Sequence, residues 1–158
     1  MGFLRSFVYA GRGIWFCIRH ERNFRIHMVA AAYVLIFAPY FSLTRGEWAA
    51  LLAIIGLVTA AEAVNTAVEQ TVNLAAPGRR TRARVAKDAA AGAVLVCAAA
   101  AVGVGFALFS RPAVWAALWT ALLARPVWFA VIGGAAVLAL WFIIGGGVKD
   151  DLKKGAKP

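Results

Sequence analysis

The sequence predicts an all-α integral membrane protein, and three observations carry that prediction. Of its 158 residues, 63% are hydrophobic and the mean hydropathy is +0.76, which is too apolar for a soluble domain and too short for several domains. The apolar residues gather into four runs near the ~20 residues that a membrane-crossing helix needs. The 17 lysines and arginines lie almost entirely between those runs.

The elements follow in order. Phe3, Phe7, Gly11, Ile14 and Ile18 recur at helical spacing, while Arg5, Arg12 and Arg19 repeat every seven residues on another face. This predicts an amphipathic helix over residues 1–20, lying in the membrane interface. Spans are expected at about 26–41, 48–72 and 88–109, with a fourth at 127–147. Pro39 and residues 42–46 make the first turn; residues 78–84 make the second connection, with Pro77 helping to end the preceding helix. Residues 112–125 hold Trp115 and Trp119 between two arginines and are too few to cross, so they predict a second interfacial helix. The chain thus divides into a core, residues 1–110, and a C-terminal extension, residues 111–158. Residues 1–25 carry five arginines without a continuous apolar stretch, so no cleaved signal is expected. Cys17 and Cys97 are far apart in sequence and read as small apolar residues in a reducing setting.

Charge decides the orientation. Five arginines precede the first span, Arg79, Arg80, Arg82, Arg84 and Lys87 separate the second and third, and four lysines follow the fourth. Only Arg45, Arg111 and Arg125 remain for the other face. The positive-inside rule therefore places both termini in the cytoplasm. A net charge of +10 beside apolar spans points to orientation and anionic lipid rather than to nucleic acid.

Inside the second span, Glu62, Asn65 and Glu69 fall on one helical stripe, and no lysine or arginine occurs between residues 48 and 72. A charged side chain at mid-bilayer costs roughly 2.5–3.5 kcal/mol, and intramembrane acids usually mark function. One alternative is a polar stripe that holds helices together. Glu62 lies two turns deeper than Glu69, on the order of 10 Å, where a general base can meet a lipid hydroxyl. Glu69 and Glu21, from different helices, suit Mg²⁺, which takes one or two carboxylates and leaves the rest of its shell to phosphate and water. Glu21 can equally pair with Arg25 as a surface i, i+4 contact. Asn65 can orient either group, and Lys87 is a natural partner for nucleotide phosphates. Asp88, at the expected start of the third span, reads as a helix cap. His20 and His27 have no ligand partners at metal-site spacing, and no Gly-rich phosphate loop occurs.

Three ordered motifs, Glu21-Arg-Asn-Phe-Arg25, Glu62-x-x-Asn65-Thr-Ala-x-Glu69 and Ala86-Lys87-Asp88-x-Ala-Ala-Gly92, resemble those of the small integral-membrane lipid kinases of bacteria. That family comprises diacylglycerol kinase and undecaprenol kinase. The resemblance runs from about Arg5 to Phe109, and the first two motifs look more like the undecaprenol kinase branch. It implies a homotrimer in the bacterial cytoplasmic membrane, with ATP as co-substrate, Mg²⁺ as cofactor and a membrane lipid alcohol as acceptor. It implies that Glu62 is the general base, that Glu21 and Glu69 hold Mg²⁺ with ATP, and that Asn65, Lys87, Asp88 and Tyr9 complete the nucleotide site. Two positions depart from the family: Asn73 stands where it usually has Asp, and residues 77–84 are strongly basic where it usually has a Tyr-His pair. Every implied site residue precedes residue 110, so the extension is expected to be dispensable for chemistry. The rival reading is a small four-span multidrug-type transporter, which also carries an intramembrane glutamate but has no need of Glu69, Lys87 and Asp88 at one water-facing surface.

Overall fold

A computed structural model describes residues 2–76 and 81–145. Among them are six α-helices and one 3-10 turn: α1 Phe3–His20, α2 Arg22–Phe37, the turn Ala38–Phe41, α3 Arg45–Ala75, α4 Thr81–Phe109, α5 Pro112–Ala124 and α6 Val127–Gly145. The all-helical expectation holds. Four segments, Arg22–Phe41, Arg45–Ala75, Thr81–Phe109 and Val127–Gly145, are long and apolar enough to cross a membrane.

Local chemistry explains the boundaries. Glu21 is the single extended residue between α1 and α2, with φ −104° and ψ 112°, so the two helices meet at a corner. Pro39 sits in the first positions of the 3-10 turn, where its missing N–H is tolerated, and Ser42 ends that turn in the left-handed region at φ 47°. A capping box then starts α3. The Glu47 N–H donates to Thr44 Oγ1 at 3.3 Å, and the Thr44 N–H donates to Glu47 Oε2 at 2.7 Å. Arg45 and Gly46, expected in the turn, are therefore helical.

The start of α4 corrects the sequence reading more strongly. Residues 81–84 were expected in the connecting loop, yet α4 begins at Thr81. Thr81 to Lys87 contains neither Gly nor Pro, and Arg, Ala and Lys are strong helix formers. Hydropathy marks where a helix enters an apolar layer, not where it begins. The expected role of Pro77 and Gly78 falls outside the described residues. At ~1.5 Å per residue, the 31 residues of α3 and the 29 of α4 exceed the roughly 30 Å hydrocarbon layer. Each is therefore longer than that layer is thick.

The helices pack with α3 against α4, α2 beside α3, and α6 beside α2. One end of the bundle holds the 3-10 turn, the start of α3 and the end of α4. There Ala38, Leu51 and Leu108 form a core with Val34, Trp48 and Ile55 around it. Phe41 is fully enclosed and meets Phe109 and Trp115 edge-on, at centroid separations of 4.8 and 5.2 Å. Arg111 donates to the Phe41 carbonyl and pairs with Glu47 at 2.6 Å, joining the three elements at that end. The opposite end holds the α1–α2 corner and the Asn73–Lys87 contact between α3 and α4. Large apolar side chains of α4 and α6, among them Phe106, Leu138 and Trp141, remain exposed, as suits surfaces turned to lipid or to another subunit.

Phe41→Ala should lower stability in detergent micelles by about 3 kcal/mol, the usual cost of emptying a buried aromatic site. Tyr40→Ala, at an exposed neighbour, should cost less than about 0.5 kcal/mol. Equal losses for the two variants in denaturant titrations would mean that the Phe109–Trp115 enclosure does not hold this end.

Candidate active site

The buried face of α3 runs through Leu51, Val58, Glu62, Asn65 and Thr66, spaced as one helical face must be. Its outer part is apolar and its other part is polar. Glu62 is only 2% exposed, whereas Glu69 is half-buried, two turns further along and close enough for its charge to act on Glu62. Thr66 uses its hydroxyl locally, donating to the Glu62 carbonyl at 3.1 Å. Asn65 is 8% exposed, and its Oδ1 has no hydrogen-bond partner. A buried amide oxygen without a donor is costly, so this atom marks a place that a donor from outside the chain would complete.

Cys17 brings α1 to this face. It is buried in the last part of α1 and hydrogen-bonded with the Thr66 side chain. Burial pushes its thiol above the ordinary range, the Thr66 hydrogen bond partly offsets this, and the carboxylates of Glu21 and Glu62 push it further up. Both carboxylates therefore lie near one sulfur, which places Glu21 and Glu62 around the same α1–α3 contact. Glu21 reaches that position from the corner. Its N–H donates to the Cys17 carbonyl at 2.9 Å, and its own carbonyl accepts from the Arg25 N–H at 3.3 Å.

Lys87 joins from α4. Its Nζ donates to Asn73 Oδ1 at 2.6 Å, and Asn73 lies one turn beyond Glu69 on α3. Since Asn73 is neutral, it orients the ammonium without cancelling its charge. Asp88 stands differently from the sequence reading. It lies two turns inside α4 rather than at its start, so it caps nothing, and it pairs on the exposed surface with Arg84 at 3.5 Å. Tyr9 is exposed on α1, with the Arg12 guanidinium 5.8 Å from its ring centre, and sits on the order of 12 Å along the helix from Cys17. The structure thus gathers Glu21, Glu62, Asn65, Glu69 and Lys87 toward one end, and leaves Tyr9 and Asp88 at its margin.

Cys17 and Thr66 did not stand out in the sequence. Thr66 had a signal, since it adjoins Asn65 on the buried face; Cys17 had only its place on a helical face. Among the described residues, no three His, Cys, Asp or Glu side chains form a self-sufficient metal cage. That suits Mg²⁺, which is held by one or two carboxylates and completes its shell with phosphate oxygens and water. The carboxylates of Glu21 and Glu69, with the unpartnered Asn65 Oδ1 one turn from Glu69 on α3, have the oxygen chemistry that such an ion takes.

The family model described as prokaryotic diacylglycerol kinase matches residues 8–109. The chain is 45% identical over 107 residues to an undecaprenol kinase of Bacillus subtilis, an alignment covering 68% of this chain and 87% of the relative. It is 40% identical over 110 residues to a diacylglycerol kinase of Synechocystis sp., covering 69% of this chain and 63% of the relative. No solved structure gives a significant match.

The Cys17 thiol provides a direct check on the α1–α3 contact. Its raised pKa keeps it protonated at neutral pH, so alkylation by iodoacetamide should be slow at pH 7 and still rise with pH above 9. Thr66→Val removes the larger of the two offsetting hydrogen bonds and should slow the reaction further. Labelling of Cys17 at the rate of an unfolded thiol, read by mass spectrometry, would show that α1 does not rest on α3.

Proposed function

The chain belongs to the prokaryotic diacylglycerol kinase family of membrane lipid kinases, and from that premise we propose that it phosphorylates undecaprenol with ATP and Mg²⁺. The carrying observation is the polar end of α3, where Glu62 is buried beside an unpartnered Asn65 amide oxygen and near Glu21. For the acceptor, the stronger likeness to the undecaprenol kinase, over more of that relative, favours the polyprenol. Diacylglycerol is the second reading, supported by the Synechocystis relative. Membership of a kinase family leaves nothing to support the transporter reading.

In this reading Glu62 accepts the proton of the lipid hydroxyl, the lipid oxygen forms its bond to the γ-phosphorus, and the bond from that phosphorus to the β–γ bridging oxygen breaks, so that ADP departs with the bridging oxygen. Phosphoryl transfer asks for positioning and charge neutralisation more than for covalent help. Glu21 and Glu69 would hold Mg²⁺, which when bound supplies charge neutralisation at the phosphates. Lys87, aimed by Asn73, adds a second positive charge there. Asn65 offers its free Oδ1 to a hydroxyl or to a bound water. Asp88 and Tyr9 take outer places around the nucleotide. An apolar groove lined by Ala30, Ala31, Val34, Ile55, Val58 and Gly105 runs between α2, α3 and α4, and Val58 lies one turn from Glu62. It offers the lipid chain a wall that leads to the base.

The same reading sets the protein in the cytoplasmic membrane as a homotrimer, with the polar end facing the cytoplasm. The basic residues favour that orientation, since Arg82, Arg84 and Lys87 lie at the polar end of the bundle. The uncovered apolar faces of α4 and α6 leave surface for neighbouring subunits and lipid.

Glu62→Gln keeps the shape of the side chain but cannot take a proton, so turnover should fall about 10²–10⁴-fold with ATP binding retained. Near wild-type turnover at saturating lipid would remove Glu62 from the base role. Glu21→Gln and Glu69→Gln should each raise the Mg²⁺ requirement, and the double variant should add little, as for groups acting as a unit. Fully additive effects would argue for separate ions. Parallel assays with undecaprenol and diacylglycerol in mixed micelles test the acceptor: a higher kcat/KM for diacylglycerol would overturn the polyprenol assignment.

A further inference from the structure

Arg25 is only 3% exposed, a rare place for a guanidinium. Its Nη1 donates to the carbonyls of Ile18 and Arg19, at 3.2 and 3.1 Å, in the last turn of α1. Its Nε and Nη2 donate to the carbonyl of Ile143, at 3.3 and 3.1 Å, close to the described end of α6. Carbonyls at a helix C-terminus carry partial negative charge and lack intrahelical donors. The last turn of α1 and the Ile143 carbonyl of α6 therefore converge on one cation. A planar guanidinium fork can serve acceptors on two sides at once, which a compact ammonium does poorly.

Between these contacts lies Glu21. Arg25 reaches back over the corner to grip the end of α1, so it fixes the angle at which α2 leaves, and Glu21 is the residue at that angle. The Ile143 carbonyl, 118 positions away, holds the other side of the same guanidinium. α6 lies wholly beyond the segment matched by the family model.

We infer that α6 is a positioning element for the active site: the Ile143 carbonyl holds Arg25, Arg25 holds the α1–α2 corner, and Glu21 is thereby kept beside Cys17 and the polar face of α3. The extension then matters to chemistry, against the expectation from the sequence. The part of this inference that concerns metal rests on the reading of Glu21 as a Mg²⁺ ligand; the bracing of the corner does not.

The test uses the full-length protein carrying Ile143→Lys, which puts a charge at a half-buried position of α6 and weakens its packing while leaving α1, Glu21 and Arg25 intact. Backbone hydrogen exchange of residues 18–25 should quicken about tenfold as the corner loosens. The Mg²⁺ concentration for half-maximal rate should rise about three- to tenfold, with kcat at saturating Mg²⁺ within about twofold of wild type. Arg25→Lys keeps the charge but loses the fork, and should give the same pattern; combining the two should add little. Should Ile143→Lys fail to assemble, Arg25→Lys carries the test with the same readouts. Unchanged exchange at the corner overturns the inference whatever happens to activity. Faster exchange with an unchanged Mg²⁺ requirement overturns the positioning role. Glu21→Gln tells these failures from failure of the function itself, because its Mg²⁺ requirement must rise if Glu21 is a ligand.

Discussion

An ionisable side chain inside an apolar bundle must find water, a partner or a purpose, and this chain sends nearly all of its own to one end. Desolvation sets that rule, because an isolated charge in hydrocarbon costs several kcal/mol. Glu62 is the sharpest case. It is buried on a helix that offers no lysine or arginine from Trp48 to Val72, and among the described residues near it are Cys17, Thr66, Asn65 and the more distant Glu69. None of these neutralises a carboxylate. A helix pair held together for its own sake would have no reason to keep such a group, since Leu or Ala would pack there at no desolvation cost. The buried acid is best explained by what it does to a visiting molecule.

The two ends of the bundle answer that rule in opposite ways. At one end the polar groups pair with one another: the Thr44–Glu47 box, the Glu47–Arg111 pair and the Phe41 carbonyl close a set sealed by Phe109 and Trp115. At the other end satisfaction is incomplete, with the Asn65 amide oxygen unpartnered and Lys87 held by a neutral Asn73. A closed end fixes helix register and an open end receives ligands. The difference between them is a division of labour along one helix, α3, which contributes Glu47 to the first and Glu62, Asn65 and Glu69 to the second.

Much of this was legible in the sequence because it depends on local period and local charge. Hydrophobic runs gave four helices of spanning length, and the i, i+3, i+7 spacing put Glu62, Asn65 and Glu69 on one stripe. Helix ends were less legible wherever a helix continues beyond the apolar layer, as at Thr81 and Arg45, since there propensity and capping decide instead of hydropathy. Displacing the start of α4 also removed Asp88 from a capping position. Contacts between distant segments left no trace in spacing at all. Cys17 beneath Thr66 joins segments 49 positions apart, and Arg25 reaches Ile143 across 118. Each involves a residue that reads as ordinary in its own segment.

α3 and α4 are both longer than a bilayer is thick, and their linked ends carry Asn73, Arg84, Lys87 and Asp88. Glu62 lies about three turns below Asn73 on the same helix. The paired ends of α3 and α4 therefore offer basic groups suited to phosphates, and α3 carries a buried carboxylate suited to the hydroxyl of a lipid alcohol. A rigid rod is the right support for two such groups, because the distance between them is set by helical rise and does not depend on a loop. What the rod cannot supply is Glu21, which comes from another helix and has to be brought in by the α1–α2 corner. The weight of positioning therefore falls on that corner, where Glu21 is the only extended residue and Arg25 binds the flanking helix ends.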